Sequence, residues 1–286
     1  MPELILPSYA KVNLTLDVLG QRPEDGYHYI RTVMVPISLA DRVTLRTAGA
    51  ISVSCSPAID GPPESNLAFR AARLLQDVTG YKGGAEIHID KVIPVAGGLA
   101  GGSTNAAAVL TGLNRLWGTG LDQQALIALA MRLGSDVPFF IPGRPARVEG
   151  VGEVITPLPV APGPIWLVLA TPDVAKSTGN VYRLYDALPA HRHLDARAVE
   201  QALADGDPVA LARALGNVFE DVMLPRHPEI AAVRAALLEG GALGALMSGA
   251  GPTVFGLVAD EAHGRALVEK VRPMARSAFL VKILDA

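Results

Sequence analysis

The sequence contains a single cysteine, Cys55, among 286 residues. An intrachain disulfide and a zinc site built from several cysteines are therefore excluded, and one thiol fits a reducing compartment. Aromatic residues make up only 5% of the chain, charged residues 19%, and the net charge is −3. Without an overall positive charge, we expect neither nucleic acid nor an anionic membrane as a partner, so an anionic ligand needs a local site.

Long apolar runs are also missing. The first residues, MPELIL, have no basic region and too short an apolar stretch for a signal peptide. No run approaches the ~20 apolar residues that span a bilayer. We therefore expect a soluble, cytoplasmic protein, and since half of the residues are hydrophobic, it has enough apolar side chains for a sizeable core.

The pattern of apolar residues predicts a mixture of strands and helices. Polar and apolar residues alternate from Lys11 to Val18, which predicts a strand with Lys11 and Asn13 on one face. Residues 65–80 have helical periodicity, with Ser65 or Asn66 as the N-cap and Gly80 at the end. Further predicted strands cover residues 42–47, 51–55, 85–90, 165–170, 243–247 and 253–258, and further helices cover 122–133, 196–215, 228–239 and 262–271. Because the two types do not alternate strictly, the predicted fold class is α+β.

The clearest change in composition is the segment 156–164, which contains four prolines. Because prolines interrupt regular structure, we place a domain boundary there, between residues 1–156 and residues 157–286. The alternative is a stiff surface loop within one domain.

The most informative stretch is the glycine-rich loop, residues 94–105 (PVAGGLAGGSTN), between a predicted strand and a predicted helix. Glycines let a ligand approach the backbone, and a helix start offers free N–H groups and the positive end of a dipole, so the loop predicts a phosphate site. No Gly-Lys-Ser/Thr ends it, so it is not a Walker A motif, and its spacing does not fit a dinucleotide fingerprint. The alternative is a purely structural turn.

The loop resembles the phosphate-binding motif of the GHMP small-molecule kinases. Residues 8–14 (SYAKVNL) and 247–253 (MSGAGPT) resemble the first and third motifs of that family, in the family's order. The resemblance implies ATP and Mg²⁺ as cofactors. It also implies an N-terminal ATP-binding domain with a left-handed βαβ unit and a ferredoxin-like C-terminal domain.

Three further segments resemble one branch of that family: residues 25–28 (DGYH), residues 133–138 (LGSDVP) and the start of the loop, IPVA. This branch phosphorylates a cytidine-diphosphate derivative of methylerythritol, at its 2-hydroxyl, in the non-mevalonate isoprenoid pathway. The alternatives are another GHMP kinase, such as a homoserine or mevalonate kinase, a non-catalytic nucleotide-binding regulator, and a dinucleotide-dependent oxidoreductase. Nothing in the sequence implies an obligate protein partner.

The resemblance gives Lys11 and Asp136 the catalytic roles. Lys11 would stabilise the transferring phosphoryl group, and Asp136 would accept the proton of the attacking hydroxyl, both meeting at the terminal phosphate. The alternatives are a solvated surface lysine and an aspartate that caps a turn.

The resemblance also implies the binding residues. For the cytidyl substrate, Tyr27 would stack on the cytosine, His28 would bind its edge, and Tyr182, where the family more often has Phe, would cover the other face. Asn13 and Thr178 complete that set, with ordinary packing or turn roles as the alternatives. The residues expected to bind ATP are Asn66, Pro94, Val95, Ala96, Gly97, Gly98, Leu99, Ala100, Gly101, Gly102, Ser103 and Thr104.

Two positions in the loop depart from the family pattern. Ala96 and Ala100 stand where the family often has Gly, and we expect negative φ angles there, which alanine tolerates. The magnesium ligands stay open, with Ser103 and Thr104 as candidates.

Overall fold

The computed structural model describes residues 2–59 and 61–285. The outer ends of the two predicted domains, residues 1 and 286, lie outside these residues. The strands described are β1 (Glu3–Gln21), β2 (His28–Ala48), β3 (Ser52–Ser56), β4 (Gly84–Asp90), β5 (Ala146–Gly150), β6 (Val154–Pro157), β7 (Trp166–Thr171), β8 (Gly216–Asn217), β9 (Gly244–Met247), β10 (Val254–Val258) and β11 (Ser277–Lys282). The α-helices are α1 (Leu67–Thr79), α2 (Gly101–Trp117), α3 (Gln123–Met131), α4 (Thr178–Asp186), α5 (Arg197–Asp205), α6 (Pro208–Ala214), α7 (Glu220–Met223), α8 (Pro228–Glu239) and α9 (Glu261–Val271).

The chain divides into two compact units. The first unit contains the described residues of Met1–Ala10, Leu39–Val95 and Ala100–Gly143, and the second contains those of Lys11–Ser38, Ala96–Leu99 and Arg144–Ala286. Strands β1 and β2 therefore contribute residues to both units. The predicted boundary at residue 156 falls at the end of β6, and it stays a prediction.

In the first unit, β4 pairs antiparallel with Arg42–Ala48 of β2 and parallel with β3. Helices α1 and α2 bury small and aliphatic side chains in a core together with these strands. That core includes Val43, Leu45, Ala68, Ala71, Ala72, Leu75, Ile87, Ile89, Val109, Leu110 and Leu113. Small residues allow the helices to approach closely, which fits the low aromatic content.

In the second unit, an antiparallel sheet has the strand order β11-β7-β10-β9. With helices between β7 and β9 and helix α9 between β10 and β11, this is the ferredoxin-like βαββαβ arrangement expected for the C-terminal part. Strand β8 pairs parallel with β1 at Thr15 and Leu16, and β5 pairs antiparallel with Ile30–Met34 of β2.

The α+β class is confirmed, and so are several local signals. Asn66 caps α1 and Gly80 ends it with a φ of 68°, while Asp122 caps α3. One prediction is wrong: residues 196–215 form two helices, α5 and α6, because Gly206 adopts a φ of 65° and Pro208 begins the next helix. Helix α3 also ends at Met131, two residues earlier than expected.

Within residues 2–59 and 61–285, no helix is both long and apolar enough to cross a membrane.

Candidate active site

Strand β1 carries two predicted site residues, both in the second unit and both buried. Lys11 is 3% exposed and Asn13 is 1% exposed, and Lys11 Nζ donates to Asn13 Oδ1 over 2.6 Å. Asn13 Nδ2 donates to the Thr32 hydroxyl over 2.9 Å, and that hydroxyl donates to the carbonyl of Thr15. The ammonium is therefore held inside the protein by successive hydrogen bonds, which excludes the solvated surface lysine that was its alternative.

The turn between β9 and β10 packs against the same residues. Ser248 Oγ accepts from the Asn13 N–H over 3.4 Å and donates to the Gly98 carbonyl over 3.1 Å. Gly249 has a φ of 57°, and a Cβ added there would lie 3.5 Å from Lys11 Nζ and 3.2 Å from the Gly98 oxygen. Because residue 249 is a glycine, no side chain from this turn position occupies the space beside the Lys11 ammonium.

Asn217 of β8 holds that turn in place, a role that sequence reasoning missed. Its side chain is fully buried, and its Nδ2 donates to the carbonyls of Met247 over 2.7 Å and Gly249 over 2.8 Å. Its Oδ1 accepts from the Phe219 N–H over 2.9 Å. No local pattern marks an asparagine in a two-residue strand, because its partners lie about thirty positions further along the chain.

A buried carboxylate supports the same turn. Glu220 Oε1 accepts from the Met247 N–H over 2.9 Å and lies 3.6 Å from Arg234 Nε. Burial raises the pKa of the Glu220 carboxyl, and the Met247 hydrogen bond and the Arg234 charge oppose this shift only in part. The native site therefore favours the neutral acid more than water does.

In the part of the glycine-rich loop that belongs to the second unit, Ala96–Leu99, three of the four carbonyls accept hydrogen bonds. The donor groups are the Thr253 N–H to the Gly97 carbonyl (3.1 Å), the Ser248 hydroxyl to the Gly98 carbonyl (3.1 Å) and the Lys11 N–H to the Leu99 carbonyl (3.2 Å). Two of the three donors belong to the turn between β9 and β10. The third motif therefore holds the second one directly.

The expectation for the two loop alanines is wrong. Ala96 and Ala100 both have a φ of 56°, in the left-handed region, and Gly98 between them has a φ of 82°. A left-handed L-residue costs about 1–2 kcal/mol, because its Cβ crowds the backbone. The loop adopts this conformation despite the strain, since contacts elsewhere fix its path. Pro94 is half-buried and Val95 is 54% exposed.

In the first unit, the loop continues into helix α2 at Gly101. The N–H groups at the start of an α-helix have no carbonyl partner within the helix, and they carry the positive end of its dipole. Gly102 is exposed and Ser103 is half-buried, whereas Thr104 is buried and its hydroxyl accepts from Ser8 Oγ over 3.1 Å. This arrangement can bind an anion through backbone N–H groups and the Ser103 hydroxyl.

Two other predicted residues of the first unit have clear local settings. Asp136 is half-buried and follows α3 in a turn that leads into the 3₁₀ helix Pro138–Phe140. The Asn66 side chain accepts from the Ala68 N–H over 2.9 Å as a helix cap. Neither setting tests the role implied by resemblance, so the catalytic role of Asp136 and the ATP contact of Asn66 stay predictions.

The predicted base-binding aromatics belong to the second unit. Tyr27 is 58% exposed after a turn, and His28 stacks on Tyr182 with ring centroids 4.6 Å apart. His28 Nε2 lies 2.8 Å from Asp186 Oδ1, and Tyr182 packs edge-on against Phe219 at 4.8 Å. His28 and Tyr182 are therefore brought together, although their contact with a base stays a prediction.

Thr178, the remaining predicted substrate residue, is the first residue of α4 and is exposed. The Ser177 side chain caps this helix by accepting from the Asn180 N–H over 3.2 Å. The Thr178 hydroxyl accepts from Lys176 Nζ over 3.4 Å. Its side chain is therefore positioned at the exposed start of a capped helix.

The described residues contain no group of three or more His, Cys, Asp and Glu side chains that could hold a metal ion. Burial raises the pKa of the Cys55 thiol, and the nearby Lys91 charge and the Asn66 amide oppose this shift. A protonated thiol is a poor nucleophile and a poor metal ligand, so the raised pKa disfavours both roles for Cys55.

A ferredoxin-like unit, a glycine-rich loop at a helix start and a buried ammonium are the features expected of a small-molecule phosphotransferase. Residues 66–144 match the model for the GHMP kinases N terminal domain, and residues 199–275 match the one for GHMP kinases C terminal. A protein of Symbiobacterium thermophilum (strain DSM 24528 / JCM 14929 / IAM 14863 / T), named 4-diphosphocytidyl-2-C-methyl-D-erythritol kinase, is 62% identical over 278 residues. The match covers 96% of this chain and 98% of that protein. The chain therefore belongs to the GHMP kinase family and, within it, to the 4-diphosphocytidyl-2-C-methyl-D-erythritol kinases.

Solved structures agree with this assignment. A crystal structure of 4-(cytidine 5'-diphospho)-2C-methyl-D-erythritol kinase is 36% identical, with a TM-score of 0.84, and the match covers 99% of this chain and 100% of that one. A crystal structure of homoserine kinase from Cytophaga hutchinsonii has a TM-score of 0.77 at 18% identity, covering 99% of this chain and 95% of that one. The latter likeness concerns the fold alone.

Proposed function

We propose that the chain transfers the γ-phosphoryl group of ATP to the 2-hydroxyl of 4-diphosphocytidyl-2-C-methyl-D-erythritol, in the non-mevalonate isoprenoid pathway. The observation that carries this proposal is the 62% identity, along nearly the whole chain, with a kinase named for that substrate. The other GHMP kinases compared share only the fold at below 20% identity, so a homoserine or mevalonate substrate has no comparable support.

In this proposal the phosphates of ATP bind at the glycine-rich loop and the start of α2. The backbone N–H groups of Gly101 and Gly102 would face the anion, and the helix dipole would add to the attraction. The ATP-binding set is the predicted one, Asn66 and residues 94–104.

Lys11 would stabilise the transferring group. A buried ammonium interacts with a phosphoryl oxygen far more strongly than an exposed one does, because less water screens the charge. The bond to Asn13, at 2.6 Å, supports a fixed position for the ammonium, so little reorganisation is needed during the reaction. The 2-hydroxyl oxygen forms the new bond to the γ-phosphorus, the bond to the ADP oxygen breaks, and Asp136 would take the hydroxyl proton.

Magnesium belongs to the proposal as well. Mg²⁺ commonly binds through phosphates and water with only one or two protein ligands, so a dedicated cluster of carboxylates is not required. Ser103 and Thr104 stay the candidates. Ser103 is the better placed of the two, because the Thr104 hydroxyl already interacts with Ser8. Bound Mg²⁺ would neutralise charge on the phosphate oxygens.

The cytidyl group would bind beside the aromatic residues of the second unit. Tyr27 would stack on the cytosine, His28 would bind its edge and Tyr182 would cover its other face. The His28–Tyr182 stack supports this, because a ring fixed by a neighbouring ring needs little further ordering when it binds a base. Asn13 and Thr178 would contact the rest of the substrate.

The proposal is tested by ADP release with the cytidyl substrate, homoserine and mevalonate supplied separately, in the presence of Mg²⁺. We expect turnover with the cytidyl substrate only, lowered by several orders of magnitude in Asp136→Asn. The matched control is Asp122→Asn, since Asn also caps helices well and this residue lies outside the proposed site. Turnover only with homoserine or mevalonate would overturn the substrate, ATP binding without turnover would favour a regulator, and a nicotinamide absorbance change would favour an oxidoreductase.

The domain boundary near residue 156 and a cytoplasmic location are further parts of the proposal. The boundary is supported by the four prolines of residues 156–164, most of which lie between β6 and β7 outside regular structure. Limited proteolysis should cut this segment first, and cell fractionation should recover the protein with cytoplasmic markers. A first cut elsewhere, or recovery with the envelope, would contradict them.

A further inference from the structure

A buried carboxylate in the first unit joins the two ends of the glycine-rich loop. Asp41 of β2 is 1% exposed, and its Oδ1 accepts from the N–H groups of Val92 over 2.7 Å and Ile93 over 2.8 Å. Its Oδ2 accepts from Asn105 Nδ2 over 2.9 Å and from Lys91 Nζ. The four bonds fill the acceptor capacity of a carboxylate.

The partners of Asp41 lie directly before the loop and at its last residue. Residues 91–93 lead into the loop, whereas Asn105 belongs to the first turns of helix α2, which leaves it. Lys91 Nζ also donates to Asn105 Oδ1 over 3.1 Å, so the entering and leaving segments contact each other as well as the carboxylate. One side chain thus fixes the distance between the two ends of the loop.

The network extends to the loop's own hydroxyl residues. Asn105 Nδ2 also donates to Ser8 Oγ over 2.9 Å, and Ser8 Oγ donates to Thr104 Oγ1 over 3.1 Å. On the other side, a Cβ at Gly101 would lie 3.2 Å from Lys91 Nζ, so the ammonium is packed against the first residue of α2. The start of the helix is therefore held from two directions.

Stability alone is a weak reason for this arrangement. The Lys91 side chain is 6% exposed and that of Asp41 is fully buried, and the cost of removing two charges from water often cancels their attraction. A buried ion pair does, however, fix geometry, because every alternative arrangement leaves a charge without a partner.

We propose that Asp41 is a positioning residue for ATP binding, which prearranges the glycine-rich loop and the start of α2 for the phosphate chain. The proposal rests on the proposed function, since it takes the loop as the nucleotide site. A loop ordered before binding loses less conformational freedom when the anion arrives, so ATP binds more tightly. Asp41 itself need not touch the nucleotide.

The test is Asp41→Asn, which keeps the shape of the side chain but removes its negative charge. One carboxylate oxygen becomes an NH₂ group, which then faces N–H donors instead of accepting from them. We expect the Kd for a non-hydrolysable ATP analogue, measured by calorimetry, to rise about tenfold or more, from the loss of a hydrogen bond to a charged group. The KM for ATP should rise by a similar factor. The KM for the alcohol substrate should stay within about twofold of the wild-type value, because a twofold change is smaller than the effect of losing a hydrogen bond.

The matched control is Asp90→Asn. Asp90 is the last residue of β4, directly before Lys91. It pairs with Arg42, the neighbour of Asp41 on β2, and forms an ion pair with it at the surface. Its removal should leave ATP binding unchanged. Ser8→Ala removes the hydrogen bonds of Ser8 with Asn105 and Thr104 but leaves those of Asp41 in place, so it should weaken ATP binding by a smaller factor in the same direction.

The outcomes separate the possibilities. Unchanged ATP binding by folded Asp41→Asn would overturn the proposal, as would equal losses for both substrates, which indicate a general structural role. If Asp41→Asn does not fold, Ser8→Ala decides, and wild-type ATP binding by that variant would overturn the proposal. A wild-type protein that binds ATP but does not phosphorylate the cytidyl substrate would refute the proposed function and leave the role of Asp41 to the binding measurement.

Discussion

Gly98 and Gly102 lie four positions apart in the same loop, and replacing each with alanine should have opposite effects. At Gly98, with a φ of 82°, a Cβ would lie 2.4 Å from the Ser248 carbonyl oxygen and 2.8 Å from that of Gly251. Both contacts are with backbone atoms, which a rotamer change cannot relieve. At Gly102, inside helix α2, a Cβ would meet only the end of the Leu67 side chain, at 3.7 Å.

The magnitudes follow from these surroundings. For Gly98→Ala, the left-handed conformation alone costs about 1–2 kcal/mol. Relieving the two oxygen contacts requires the turn between β9 and β10 to move by roughly 1 Å, and overpacking of this kind costs about 1–3 kcal/mol more. For Gly102→Ala, the helix gains about 0.5–1 kcal/mol, because alanine has less backbone freedom to lose.

Urea unfolding followed by circular dichroism measures both changes. We expect Gly98→Ala to lose at least about 2 kcal/mol, the sum of the lower bounds for strain and overpacking. Since Ser248 would be displaced, weaker ATP binding should accompany that loss. Gly102→Ala should be as stable as the wild type or more so. Wild-type stability in Gly98→Ala would show that the loop does not depend on contact with this turn, and the account of the site would be wrong.

Three further predictions concern other residues. Ala100→Gly should raise the free energy of unfolding by about 0.5–1 kcal/mol, because the strain at a φ of 56° exceeds the added backbone entropy, and a loss in urea unfolding would contradict it. Burial raises the pKa of the Glu220 carboxyl, so the native state binds more protons than the unfolded state between the ordinary and the raised pKa. Stability from this group is present below the ordinary pKa and falls as the pH rises through that window. Glu220→Gln should therefore gain stability relative to wild type as the pH rises above the ordinary glutamate pKa, and a constant difference would refute the sign. Tyr27→Ala should weaken binding of the cytidyl substrate by the ~1–3 kcal/mol that base stacking contributes. The KM for that substrate should therefore rise while the KM for ATP stays unchanged, and equal effects on both KM values would exclude the stacking role.

The sequence predicted best what is decided locally. The caps at Asn66 and Asp122 and the left-handed Gly80 depend on a few neighbouring residues, so their signals survive in the fold. Gly206 and Pro208 are also local signals, and they mark the break in the predicted helix 196–215. The apolar periodicity continues on both sides of them, and that pattern led to the prediction of a single helix.

Long-range contacts decided what the sequence did not predict. Alternation along β1 is typical of a strand with one exposed face, yet Lys11 and Asn13 are buried, because residues up to 235 positions away cover that face. Asp41 looks like an ordinary charged residue in a strand, and only the fold brings Lys91 and Asn105 to it. The φ angles of Ala96 and Ala100 likewise depend on the path of the loop rather than on residue type.

The hydrogen bonds of the loop explain why it suits an anion rather than a cation. A glycine-rich loop exposes carbonyl oxygens as readily as N–H groups, and free carbonyls would repel phosphate. The carbonyls of Gly97, Gly98 and Leu99 all accept hydrogen bonds from within the second unit, so their negative ends are occupied. With these three oxygens occupied, the balance of backbone dipoles that the segment offers to a ligand shifts towards N–H groups, which favour negative charge. If the loop binds ATP as proposed, the Ser248 hydroxyl supports that binding without having to touch the nucleotide, since it occupies the Gly98 carbonyl oxygen.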